Sequence, residues 1–202
     1  MLHLIRKDIV LQKYTLLILL PILFLDLFLD GSRIYVGILF SIAIIMQSFL
    51  TDEKSSVHYL LNSLPYTRKE IVSSKYAGAC VFIFLVLLTI FIGNLVIYKE
   101  FVPWGQLLFI AGFVAVFVSL AFPFSYLFKS QYLMIASIVL FVLYFVIVAK
   151  FIPDMNDRIR GTVQTLLSLD DALLYGGAIL AVTLLYLFSW MLSVRIYHRK
   201  VF

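Results

Sequence analysis

The chain has 202 residues, of which 63% are hydrophobic and 13% charged, with a formal net charge of +5. A water-soluble domain carries about 25% charged residues. Half that share leaves too little polar surface to cover a globule, so a soluble fold is excluded. The basic balance, with an isoelectric point of about 9.3, serves orientation in such a chain, because Lys and Arg collect on the cytoplasmic side of membrane helices. Nucleic-acid binding is set aside on that ground.

The first segment, residues 1–13, puts Leu2, Ile5 and Ile9 near one helical face and leaves Arg6, Lys7 and Lys13 for anionic headgroups. That is the pattern of an interfacial helix; a plain basic flank is the alternative. Basic residues before an apolar run resemble a signal peptide. No small-x-small site follows, however, and Asp26 and Asp30 interrupt the end of the run, so it reads as an uncleaved first span.

Six apolar runs read as membrane spans, at residues 14–29, 34–50, 76–98, 105–128, 132–149 and 172–194. Each approaches the roughly 20 residues that cross a bilayer core. The fold class is therefore an all-α bundle of six transmembrane helices. If both termini are cytoplasmic, eleven of the sixteen Lys and Arg lie inside and five outside, which supports that orientation. Pro21 falls inside the first span, where neighbouring helices can satisfy the carbonyl it frees.

Residues 51–75 form the only long polar segment between spans. Val57, Leu60, Leu61 and Leu64 recur at i, i+3, i+4 and i+7, one apolar stripe on a short helix. Pro65 ends it. Thr67 and Glu70 then have the spacing of a capping box, with Tyr66 and Ile71 placed as its hydrophobic staple. The third span's helix is accordingly expected to start near Arg68, ahead of the bilayer core. Two uses suit such a helix: a docking element, or a helix resting on headgroups.

In residues 150–171, Pro153 precedes a second stripe, Ile159, Val163, Leu166 and Leu167, which predicts a short external helix. Within the spans, Asp26 and Asn94 are pathway candidates, since polar groups at bilayer depth are costly. Asp26 also lies near the outer end of its span, which suits an interfacial position. Gly176-Gly177 and Ala111-Gly112 suggest close helix packing. Cys80 is the one cysteine, so no intrachain disulfide forms. The sequence has no G-x-x-x-x-G-K-[ST], HExxH or GxSxG motif. His3, His58 and His198 are far apart, so no metal site or catalytic group is expected.

The polar segment resembles the one between the second and third spans of ABC-2-type transporter permeases. Glu53, Leu60, Leu61, Ser63, Pro65, Thr67, Arg68, Ile71 and Lys75 stand in that family's order. Ser55-Ser56 and His58 depart from its usual Gly-Thr and Glu. The opening Leu4 to Tyr14, with its Lys7-Asp8 pair, resembles the family's start. The resemblance implies that residues 1–202 form one permease domain with an N-terminal elbow helix and an external element before the last span. It also implies a coupling helix that docks on a separate ATPase subunit through Glu53, Val57, His58, Leu60, Leu61, Leu64, Pro65, Thr67, Arg68 and Glu70. ATP and Mg would be bound by that partner, with no cofactor in this chain. A second permease chain, identical or not, would complete the pathway in a bacterial cell membrane. Walls rich in Phe, Leu, Val and Ile favour a hydrophobic or amphipathic cargo such as a peptide, drug or lipid. The reading from another class is a membrane-bound sensor or immunity protein that binds a membrane-active peptide and transports nothing.

Overall fold

The computed structural model describes residues 2–29, 33–54, 67–128 and 172–199, together with positions 132, 135, 139, 143, 161, 162, 164 and 165. All regular structure among the described residues is helical. The order is α1 (Leu2–Leu11), α2 (Lys13–Asp26), a 3-10 turn (Leu27–Leu29), α3 (Arg33–Lys54), α4 (Arg68–Tyr98), α5 (Trp104–Leu127) and α6 (Ala172–Arg199).

Four stretches are long and apolar enough to cross a membrane: Ile34–Thr51, Arg68–Tyr98, Trp104–Leu127 and Tyr175–Arg199. Taken as one broken element, the pair α1 and α2, bent by 64°, makes a fifth. The expected spans over 34–50, 76–98 and 172–194 fall within α3, α4 and α6, and that over 105–128 coincides with α5 to within one residue at each end. Of the expected span over 132–149, only Tyr132, Ile135, Val139 and Leu143 are described; they are helical and exposed. The rest lies outside the described residues, as do Ile159, Val163, Leu166 and Leu167 of the expected external helix.

The core runs along the centre of the bundle. Ile44 and Ile45 of α3, Val86 and Ile90 of α4, and Ile110 and Val114 of α5 are buried. The opposite faces of the same helices stay apolar and exposed, for instance Leu39, Phe84 and Leu120. That is expected where hydrocarbon, not water, surrounds the bundle. Close approach happens at glycines other than the expected ones. A Cβ on Gly37 would stand 2.7 Å from Ile90 Cδ1, and one on Gly93 would stand 2.5 Å from Leu27 Cδ1. Among the described residues, nothing lies within 4 Å of a Cβ at Gly112, Gly176 or Gly177. Ala111, beside Gly112, is itself packed against the core.

The connection after α4 is held by side chains. Lys99 caps the helix in the left-handed region at φ 55. The buried Asn94 amide donates to the Glu100 carbonyl at 2.6 Å. Tyr98 Oη donates to the Leu27 carbonyl at 3.0 Å, fastening this turn to the end of α2.

Candidate functional site

The helix expected in the polar segment and its expected stop at Pro65 lie outside the described residues, with Val57, His58, Leu60, Leu61 and Leu64. Its two flanks are described. Glu53 is in the last turn of α3, and Thr67 precedes α4.

Thr67 has an extended backbone and accepts from the Glu70 amide through Oγ1 at 3.2 Å. Its own N–H donates to Glu70 Oε2 at 2.8 Å, and its hydroxyl donates to the same oxygen at 2.9 Å. The capping box expected from the spacing is therefore formed, and α4 begins at Arg68. At 31 residues, α4 is roughly 46 Å long at 1.5 Å per residue. That exceeds a bilayer core of about 30 Å, so part of it extends beyond the core.

About two turns into α4, Lys75 is buried. Its ammonium lies 3.0 Å from Asp8 Oδ1 of α1 and 3.3 Å from Ser48 Oγ of α3, and 5.9 Å from the centre of the Phe49 ring. Lys7 reaches the same Asp8 oxygen at 3.0 Å from a more exposed position. Asp8, Ser48, Phe49 and Lys75 help line a cavity of about 10 Å³. Burying either charge alone would be costly, so the pair holds only because each partner is present.

This pair also explains how α1 sits. Sequence reading put Leu2, Ile5 and Ile9 on its apolar face. The structure buries Leu4, Asp8 and Gln12 instead, with Ile5 and Ile9 half-buried. Gln12, at the bend before α2, donates from Nε2 to the Ile44 carbonyl of α3 at 3.2 Å. Two interhelical polar contacts outweigh the weak periodicity of a ten-residue helix.

On the other side of α4, a chain of hydroxyls crosses to α6 and α5. Ser189 Oγ donates to the Ser119 carbonyl at 2.6 Å. Its single proton is then spent, so the 2.7 Å contact with Tyr76 must be donated by the tyrosine. Tyr76 has in turn spent its proton, and Ser193 donates to it at 2.8 Å. The relay runs Ser193 to Tyr76 to Ser189 to the α5 backbone, each bond polarising the next. Tyr186 Oη donates to the Tyr76 carbonyl at 2.7 Å, and Trp190 Nε1 donates to Ser73 Oγ at 3.0 Å. Phe49, Tyr76, Phe122, Tyr126, Tyr186 and Tyr197 pack around this layer edge to face.

Arg68 turns inward as well. Its Nη1 donates to the His198 carbonyl at 2.7 Å and to the Tyr197 carbonyl at 3.3 Å, in the last turn of α6. The N-terminal helix, both ends flanking residues 55–66 and the end of α6 therefore meet at one end of the bundle. Asp26 and Asn94 do not belong there. Asn94 lies 26 residues along α4 from Arg68, roughly 39 Å at the helical rise, and binds the turn described above. Asp26 is half-buried where α2 ends.

Sequence reading missed Asp8 as a partner for Lys75, and it missed the stripe on the last span. That stripe is visible in retrospect: Tyr186, Ser189, Trp190, Ser193 and Tyr197 recur at i, i+3, i+4, i+7 and i+11, a polar and aromatic face on an otherwise apolar helix.

No curated protein and no solved structure matches the chain. A family model described as "ABC-2 family transporter protein" matches residues 3–198, nearly the full length and reaching into every element above. This bundle of long apolar helices is thus membrane-embedded, and the chain belongs to the ABC-2 transporter family.

Proposed function

We propose that the chain is the membrane-spanning permease subunit of an ATP-driven ABC-2-type exporter in a bacterial cell membrane. Residues 1–202 make one domain of six spans with both termini cytoplasmic, α1 as the elbow helix, a coupling helix between α3 and α4, and a short external helix before α6. Two permease chains form the pathway, and separate ATPase subunits bind ATP and Mg and drive it. The cargo is hydrophobic or amphipathic: a peptide, a drug or a lipid.

The observation that carries this reading is the family match across residues 3–198. The geometry supports it in one respect. A docking segment transmits force only if its exits are stiff, and the exit at Thr67 is capped on both sides of the box while the helix behind it is pinned by Lys75 to α1 and α3. ATP-driven closure of the partners would push the coupling helix, and the joint at Pro65–Thr67 would pass that motion to α3 and α4.

The test is affinity purification of the tagged chain in mild detergent, with mass spectrometry of what accompanies it. Recovery of an ATPase subunit that is lost in Leu61→Pro, with the variant still inserted in the membrane, is the expected result. Recovery of the chain alone under gentle cross-linking overturns the reading and favours the sensor or immunity class.

A further inference from the structure

Arg68 is placed where its charge opposes its own helix. It is the first residue of α4, at the positive end of the helix dipole, where acidic side chains are favoured. The compensation comes from another helix. The last carbonyls of α6 carry the negative end of its dipole. Arg68 donates to two of them, at 2.7 and 3.3 Å, across 130 residues of sequence. Both bonds leave the same nitrogen, Nη1, whose two protons lie fixed in the guanidinium plane, so one end of the group holds two neighbouring carbonyls at once.

We infer that Arg68 is a positioning residue for transport: it ties the exit of the docking segment to the end of α6, so that α6 moves with α4. The inference rests on the permease reading and deepens it, since that reading moves only α3 and α4. Two further links along the same seam make the coupling stiff. Trp190 donates to Ser73, and Tyr76 is bonded to both Ser189 and Ser193. Arg68 therefore acts inside the permease, and its loss should be felt at α6 whether or not the ATPase stays docked.

The experiment uses the full chain in lipid nanodiscs, with the native cysteine removed by Cys80→Ser and spin labels on Lys69→Cys and Arg199→Cys. Pulsed electron resonance reads the distance between α4 and α6, first on the chain alone. Expected is a narrow distribution with Arg68, a broader and longer one with Arg68→Ala, and partial return with Arg68→Lys, whose ammonium keeps the charge and the donors but not the planar orientation that aims Nη1 at both carbonyls. A distribution in Arg68→Ala as narrow as the parent's overturns the strut, whatever the chain transports. The second reading is on the complex with its co-purified ATPase, trapped with Mg·ATP and vanadate. Expected is an α4–α6 distance that nucleotide leaves unchanged with Arg68 and shifts in Arg68→Ala. A distance that nucleotide shifts in the parent itself overturns the joint movement of α4 and α6. Absence of any co-purified ATPase counts against the permease reading, and the measurement on the chain alone still decides the strut.

Discussion

Lys75 carries a charge into the bundle, and Asp8 makes that position tenable. Asp8→Asn takes the carboxylate from the buried Lys75 ammonium and should lower stability by about 3 kcal/mol. Lys75→Met should cost less, because Lys7 still reaches Asp8 at 3.0 Å, and Asp8→Leu combined with Lys75→Met should also cost less than Asp8→Asn, because an apolar pair needs no desolvation offset. Thermal unfolding of the detergent-solubilised variants reads this directly, and additive losses in the double variant would sink the argument. Lys99 poses the opposite problem. Its backbone is left-handed at φ 55, a conformation that costs a side chain about 1–2 kcal/mol and glycine little. Lys99→Gly should therefore raise the unfolding temperature, provided that the Asn94 bond to Glu100 persists. An unchanged or lower value would mean that the Lys99 side chain itself holds the turn. Neither residue could be ranked from the sequence. Lys75 looks like one more basic flank residue until α1 is seen against α4, and Lys99 looks like an ordinary loop cation.

At the scale of elements, the start of α4 was the most legible feature. A capping box lies within four residues, so its chemistry is complete in the local sequence. Thr67→Ala should cost about 1 kcal/mol of stability and Thr67→Ser much less; equal losses from both would mean that the hydroxyl is not the capping group. The seam between α4 and α6 was not legible. Tyr76→Phe removes the middle of the hydroxyl relay, leaving the Ser193 hydroxyl buried without its acceptor. The cost should be about 1 kcal/mol, in line with interhelical hydrogen bonds in membranes. Ser193→Ala should cost less, because Tyr76 keeps its acceptor at Ser189. Unfolding temperatures ordered the other way would mean that the relay runs in the reverse direction. The glycines carry the same lesson. Gly93 matters because Phe24 and Leu27 lie against it, and no rule about small-residue pairs could have singled it out.

For the whole molecule, one end of the bundle gathers α1, the flanks of residues 55–66 and the end of α6. If that end is cytoplasmic, cysteines introduced at Lys69 and Arg199 in a Cys80→Ser background should both be shielded from an impermeant thiol reagent applied to intact cells. One at Phe101, beyond the other end of α4, should react. Labelling of Lys69→Cys and Arg199→Cys with protection of Phe101→Cys would invert the orientation that the Lys and Arg balance supports. Opposite labelling of the first two would contradict the bond from Arg68 to His198 as well.

What the sequence by itself determined was everything that depends on near neighbours or on sums. Low charge and long apolar runs established a membrane bundle, because hydrocarbon admits backbone only when its hydrogen bonds are satisfied within the segment. Thr67 and Glu70 established where α4 begins. Only the tertiary structure decided which polar side chains meet. Asp8 with Lys75, Arg68 with the end of α6, and Tyr76 with Ser189 and Ser193, the last pair 117 residues apart, depend on helix rotation and on which helices are adjacent. In a chain that is apolar on nearly every face, hydrophobic periodicity carries little information about either, and the few polar contacts between helices select the arrangement.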